Sequence, residues 1–224
     1  VRKKEEELTQ YHKDMAASVQ RFTEEVIFHL LTNLHKKTGL NNVCIAGGVA
    51  QNSVANGKIT RNTPFKNVYI PSAGHDAGIS MGAALYVQHQ MKDMLRTPVF
   101  SAYTGSQFTN EEIRKILDEK GILYRQLDDE ALYEEVTNCL TNGGVVGWMN
   151  GRAEFGPRAL GARSIIADPR RNDAKEILNL KIKRRESFRP FAPSILKEYV
   201  ADYFELDEPV PFMEKVYPIK KEMQ

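Results

Sequence analysis

Between Asn41 and Leu95 the chain twice runs from a short β-like segment through a glycine-bearing loop into a helical pattern, and this constrains the fold more than any other feature. NNVCIAGG ends on Gly47 and Gly48 and passes into the helix-compatible VAQNSVANGKI; FKNVYIP passes through SAGHDAG into the apolar-faced ISMGAALYVQHQMKDML. Strand alternating with helix calls for α/β packing on a parallel or mixed sheet. Glycine lets backbone N–H groups approach a ligand closely, and a following helix turns its positive end toward the same place. One such glycine pair serves tight packing equally well. Two units, with Asn52 in the first and Asp76 in the second, favour nucleotide or phosphate binding. Asp76 could bind a metal or a phosphate-bound cation, or cap the next helix. His75 ranks below it, because adjacent residues rarely reach one ion, and His12, His29 and His35 read as surface or helix-face histidines.

The flanking segments fit the same class. Helical periodicity from about Lys3 to Lys37 sets Val19, Phe22, Val26, Leu30 and Leu34 on one face, with Gly39 as the stop. LRTPVFSAYTG breaks the pattern and reads as a linker or crossing strand, dividing the chain into domains 1–97 and 98–224. Thr109 with Glu112 forms a capping box for TNEEIRKILDEKG, ILYRQLD is the strand expected next, and Glu130 to Leu140 makes a second helix. VVGWM and SIIADP are strand candidates, AKEILNLKIK is a helix capped by Asn172 or Asp173, and RRESFRPFAPSIL contains loop and a short strand before an amphipathic helix.

Between those two strand candidates lies GRAEFGPRALGARS, which sets Arg152, Arg158 and Arg163 on a loop framed by glycine and proline. The planar guanidinium fork matches phosphate or carboxylate oxygens. KIKRRESFRPFAPS then brings Lys183, Arg185 and Arg189 into a second short segment. From Arg152 to Arg189 there are eight Arg and three Lys against two Asp and three Glu, a local charge of +6 in a chain whose net charge is +2. Salt bridges or a solvated basic face would explain the charge but not the glycine and proline framing, so the pattern points to a bound polyanion.

Other classes are disfavoured. The small net charge and the scarcity of aromatics near the basic segments argue against nucleic acid. No apolar run reaches the ~20 residues needed to span a bilayer. Two cysteines, Cys44 and Cys139, form no CxxC, which suits a reducing, cytoplasmic setting.

CIAGGVAQNSVANGKI, VYIPSAGHDAGISMGAAL and GRAEFGPRALGARSIIADPR with IKRRESFRPFAPSIL together closely resemble the carbamoyltransferases of the nodulation-factor and antibiotic-tailoring type. The resemblance implies the C-terminal half of an actin/sugar-kinase-like ATPase domain, followed by an incomplete α/β domain similar to threonylcarbamoyl-AMP synthases. It implies that carbamoyl phosphate and ATP form a carbamoyl-adenylate in the second domain, and that the first passes the carbamoyl group to a hydroxyl of a small-molecule or sugar acceptor. Gly47, Gly48 and Asn52, with Gly74 and Gly78, would bind nucleotide, and Asp76 would hold a divalent metal, iron or magnesium. Lys183, Arg185 and Arg158 would act on the carbamoyl phosphate and ATP phosphates, with Arg163 and Arg189 beside them; Arg152 is left without a role. No side-chain nucleophile is needed.

The chain departs from the family in lacking an HxxxH pair and the THVDGT and NTSFN stretches. This suggests a fragment that is inactive alone. A non-catalytic nucleotide-binding module and a threonylcarbamoyl-type tRNA-modifying enzyme are the alternatives, and a homodimer is left open.

Overall fold

The strand-to-helix alternation read from the sequence folds as a mixed α/β chain in a computed structural model that describes residues 2–3, 6–91, 95 and 99–223. Contacts group it into two units, Val1–Thr97 with Ala201–Gln224, and Pro98–Val200.

In the first unit, helix α1 spans Gln10–Thr38 and stops at Gly39, whose φ of 66° closes the last turn with an N–H bond to the His35 carbonyl. It begins later than the periodicity suggests. Thr9 has extended backbone and its N–H donates to His12 Nδ1 at 3.2 Å, so the helix starts there. The charged residues before it offer no apolar face to bury. Residues 4 and 5 of the expected helix lie outside the described residues. One flank of α1 packs inward through Glu24, which is buried and takes both its oxygens to Lys58 Nζ at 2.8 Å. The opposite stripe, Val19, Phe22, Val26, Leu30 and Leu34, is exposed.

Strands β1 (Asn42–Cys44) and β2 (Asn67–Tyr69) pair in parallel, Val43 opposite Val68. The crossover between them is not one helix. A 3-10 turn at Gly48–Gln51 precedes α2 (Ser53–Asn56) and α3 (Ile59–Asn62), because the Asn52 side chain caps α2 by accepting from Ala55 N–H and Gly57 separates α2 from α3. Val43, Ala50, Ala55, Ile59, Phe65, Ile70 and Ala73 form the core beneath. Helix α4 (Gly78–Gln88) comes after the second loop; residues 92–94 of its expected extension lie outside the described residues. Residues 204–219 fold back within this unit. Val216 N–H donates to the Ser53 carbonyl at 3.0 Å, Asn56 Nδ2 donates to the Glu214 carbonyl at 2.8 Å, and Phe204 bridges Ile219.

In the second unit, α5 (Asn110–Glu119) has its capping box: Glu112 N–H donates to Thr109 Oγ1 at 3.2 Å and Thr109 N–H to Glu112 Oε2 at 2.7 Å. Helix α6 (Asp129–Thr141) is capped by Asp128. Strands β3 (Val145–Met149) and β4 (Arg163–Ala167) pair antiparallel, Gly147 opposite Ile165 and Met149 opposite Arg163. The strand expected at ILYRQLD does not form, and residues 122–128 pair with no strand. Their side chains serve the neighbouring helices instead: Tyr124 bonds Asp118, Gln126 bonds Arg114, and Arg125 pairs with Glu135. Helix α7 (Ala174–Ile177) gives way to a π-turn over Leu178–Ile182, so the long helix expected from AKEILNLKIK is halved. Residues 184–196, broken by Pro190 and Pro193, form no strand; a 3-10 turn at Lys197–Tyr199 leads into α8 (Val200–Tyr203), most of which groups with the first unit.

Candidate functional site

The loop joining β3 to β4 is built around one carboxylate. Glu154 Oε1 accepts the backbone N–H groups of Leu160 at 2.6 Å, Ala162 at 2.7 Å and Arg163 at 3.3 Å. Burial pushes its carboxyl up, but the backbone N–H groups of Leu160, Glu154 itself, Ala162 and Arg163 more than offset this and hold it below the ordinary value. Gly151 and Gly161, at φ of 57° and 104°, let the backbone turn at the two ends of the loop. Residues 102–106 clamp it from outside: Phe155 N–H donates to the Ala102 carbonyl at 2.7 Å, and Tyr103 Oη to the Leu160 carbonyl at 2.7 Å.

Arg152 and Arg163 are spent on this framework. Arg152 donates to the Thr104 and Gly105 carbonyls. Arg163 donates to the carbonyls of Ala162 at 2.8 Å, Gly151 at 3.2 Å and Asn150 at 3.3 Å. Arg158 sits half-buried in the loop. Further on, two cations of the basic segment are paired locally. Arg170 holds the Asp168 carboxyl down to about 2, and Arg171 pairs with Asp173.

An open cleft of about 360 Å³ lies against the strand pair. Gly147, Trp148, Met149, Ser164 and Ile165 come from the strands, Ala159 from the loop, and Arg163 and Lys183 bring positive charge. Lys183 comes directly after the π-turn, its side chain is exposed, and its ammonium has no hydrogen-bond or ion-pair partner among the described residues. Of the cations singled out by sequence, Arg163 and Lys183 line this cleft, whereas Arg158, Arg185 and Arg189 are not among its lining residues. Arg185 Nε donates to Asn179 Oδ1 at 2.7 Å, and its guanidinium stands 4.8 Å from the centre of the Phe191 ring. Arg189 pairs with Glu186 at 2.9 Å. Asn179, fully buried, donates to the Ser187 and Arg189 carbonyls and so folds this segment.

Glu154, Trp148 and Asn179 are the residues that sequence reasoning missed. Glu154 and Asn179 act on backbone groups, which carry no sequence signature. Trp148, the chain's one tryptophan, was legible only as a strand residue.

In the first unit the two glycine loops meet. Gly47, at φ of 108°, donates its N–H to the Gly74 carbonyl. A Cβ on Gly48 would meet no described atom within 4 Å, so packing does not require that glycine. On Gly78 a Cβ would lie 2.0 Å from the Ala73 carbonyl oxygen, and on Gly74 it would lie 3.0 Å from Gln51 Nε2. Close approach to backbone therefore accounts for Gly78, whereas at Gly74 the nearest atom is the end of the flexible Gln51 side chain. Asn52 exchanges two amide bonds with Gln20, at 3.0 and 3.1 Å, besides capping α2. Gln20 and Lys58 in turn hold the Glu24 carboxyl below its ordinary value against the opposing effect of burial.

Asp76 is exposed and its carboxylate does not cap α4, whose N-cap is Ala77. His75 beside it has a buried Nδ1 with no partner among the described residues. No three His, Cys, Asp or Glu side chains among the described residues are grouped as a metal site, so Asp76 stands here as a single donor.

A model of the carbamoyltransferase N-terminus matches residues 1–85, and a model of the carbamoyltransferase C-terminus matches residues 137–224. An uncharacterized protein of Synechocystis sp. is 49% identical over 230 residues, covering 100% of this chain and 37% of the relative. The nodulation protein NolO of Bradyrhizobium diazoefficiens is 40% identical, covering 99% of this chain and 41% of its own length. NolNO of Sinorhizobium fredii is 38% identical, covering 99% and 33%. The chain thus spans 33–41% of the length of these curated relatives.

Proposed function

Because the chain belongs to the carbamoyltransferase family, we propose that it forms part of an enzyme transferring a carbamoyl group, and that the cleft on β3 and β4 receives carbamoyl phosphate. The observation that carries this reading is the Lys183 ammonium, which stands unpartnered among the described residues at the rim of a cleft that also holds Arg163. Fixed cations lower the repulsion between two polyanions and stabilise charge that develops as they react. That is what the formation of a carbamoyl-adenylate from carbamoyl phosphate and ATP requires. Arg185, held by Asn179 and stacked on Phe191, keeps the Lys183 segment in shape; Arg158 and Arg189 lie on the loop and the segment that flank the cleft.

The first unit reads as half of an actin/sugar-kinase-like ATPase domain and the second as a synthase-like domain. ATP phosphates would approach the first unit at Gly47 and Gly48, where the open space over Gly48 leaves room for a ligand. Asp76 would contribute one carboxylate to a divalent metal. The described residues do not complete a metal site. The acceptor is a hydroxyl-bearing small molecule. A cytoplasmic setting is part of the proposal; among the described residues no helix is long and apolar enough to cross a membrane.

Calorimetric titration of the chain with carbamoyl phosphate, alone and with ATP, tests the site. Lys183→Ala should weaken binding about tenfold or more, the loss of one charge-assisted contact. Arg185→Ala should weaken it less, through loosening of the segment. Binding indifferent to both substitutions would remove the cleft from the proposal.

A further inference from the structure

Helix α1 carries seven large apolar side chains that the fold leaves uncovered. Tyr11, Met15, Val19, Phe22, Val26, Leu30 and Leu34 are all exposed, Phe22 at 68%. They recur at steps of three or four residues, so they form one continuous stripe about 35 Å long. The inward face of the same helix is already engaged: Glu24 is buried against Lys58, and Gln20 bonds Asn52. An unbroken apolar stripe of this length on an exposed helix marks an interaction surface.

The spacing of the stripe selects its partner. From a point between Phe22 and Thr23, Val19 and Val26 stand equally far in opposite directions, as do Met15 and Leu30, and Tyr11 and Leu34. Such a stripe matches its own copy turned end for end, which is the arrangement that a two-fold axis produces. The charges beside it fit the same axis. Arg21 and Glu25 pair within the helix at 2.9 Å and both are well exposed, and the reversal sets Arg21 of one helix level with Glu25 of the copy. Lys36 and Lys37, in the last turn, come level with the start of the copy's helix, beside Glu6 and Glu7. Opposite helix dipole ends also meet there. A parallel pairing would set Arg21 on Arg21 and Lys36 on Lys36, like charge on like.

We infer that α1 is a self-association surface: two copies of this chain pair through it as antiparallel helices, with Phe22 packed on Phe22 at the two-fold axis. The cations of the proposed anion cleft belong to the other unit and take no part.

Sedimentation of the 224-residue chain, of 25.4 kDa, should show a dimer at micromolar concentration. Phe22→Glu sets like charges at the axis and should raise the dissociation constant about thirtyfold or more, with helix content by circular dichroism as in wild type. Should this variant impair folding, cross-linking decides. In a chain whose Cys44 and Cys139 are replaced by serine, Phe22→Cys should join two copies through a short bismaleimide, because the two positions nearly coincide along the paired helices. Leu30→Cys should not, since its counterpart lies about 22 Å away along the helix direction. Equal cross-linking of both variants would show a parallel or unordered association and overturn the inference. A dimer that survives Phe22→Glu unchanged would overturn it by placing the contact on another surface. Wild type that stays monomeric at submillimolar concentration would overturn it as well, and slow thiol labelling of the monomeric Phe22→Cys variant would then show that the stripe is covered within its own chain.

Discussion

Glu154 organises the arginine loop by giving three backbone N–H groups one acceptor, and the arginines then brace the result by donating to carbonyls. Most of the loop's guanidinium chemistry is thus internal, and the sequence motif reads as a scaffold for a cleft whose exposed cation comes from elsewhere, at Lys183. Glu154→Ala leaves those donors without a partner in a half-buried setting, and should cost about 2 kcal/mol of stability, read as a lower denaturation midpoint. The folded-state pKa of Glu154 lies below its unfolded value near ~4.3, so its contribution is fully present above that value and is lost as pH falls through the folded value. Glu154→Gln removes the titration, so stability measured from about pH 6 down to about pH 3 should fall less steeply in the variant than in wild type. Parallel acid profiles would show that the carboxylate charge is not what holds the loop.

At the scale of elements, what the sequence announced was what local chemistry decides. The Thr109–Glu112 capping box, the runs VVGWM and SIIADP, and the stop at Gly39 all appear where their residue types place them. What it hid depends on partners far along the chain. ILYRQLD has strand-forming residues, but it finds no strand to pair with, and α5 and α6 take its polar side chains. The division of VAQNSVANGKI turns on Asn52 and Gly57, and the reason for Gly57 lies far along the chain, in the returning segment. A Cβ there would fall 2.1 Å from the Val216 carbonyl oxygen, in the segment that also bonds Ser53 and Asn56. The same blindness covers the candidate site: Lys183 and Arg163 were legible as cations, but the engagement of Arg152 and Arg163 was not, because their acceptors are backbone carbonyls. Gly57→Ala should therefore displace the returning segment from α2, and limited proteolysis within residues 204–219 should become several-fold faster. Cleavage at the wild-type rate would mean that the segment docks without this close approach.

For the whole molecule, the decisive fact is that the residues proposed to bind carbamoyl phosphate, Arg163 and Lys183, both belong to the unit Pro98–Val200, whereas Gly47, Gly48 and Asp76 belong to the other. The +6 charge of the Arg152–Arg189 segment already discounts Asp168, Asp173 and Glu186, which pair with Arg170, Arg171 and Arg189, and of the cations singled out by sequence it is Arg163 and Lys183 that line the cleft. The proposed binding is thus local to one strand pair and distinct from attraction to a basic surface. A ligand that binds only the folded form stabilises it by mass action, about 2.7 kcal/mol at one hundred times its Kd, and amides that exchange through opening of that unit slow in proportion, by roughly one hundredfold. Hydrogen exchange with saturating carbamoyl phosphate should show this slowing in Val145–Met149 and Arg163–Ala167, and much less in Asn42–Cys44 and Asn67–Tyr69. A diffuse electrostatic interaction would produce weak protection that disappears at high salt, because exposed charges are screened beyond about 8 Å at physiological ionic strength. Protection confined to the first unit would place the carbamoyl phosphate site at the glycine loops instead of the cleft, and Lys183→Ala would then leave the exchange pattern unchanged.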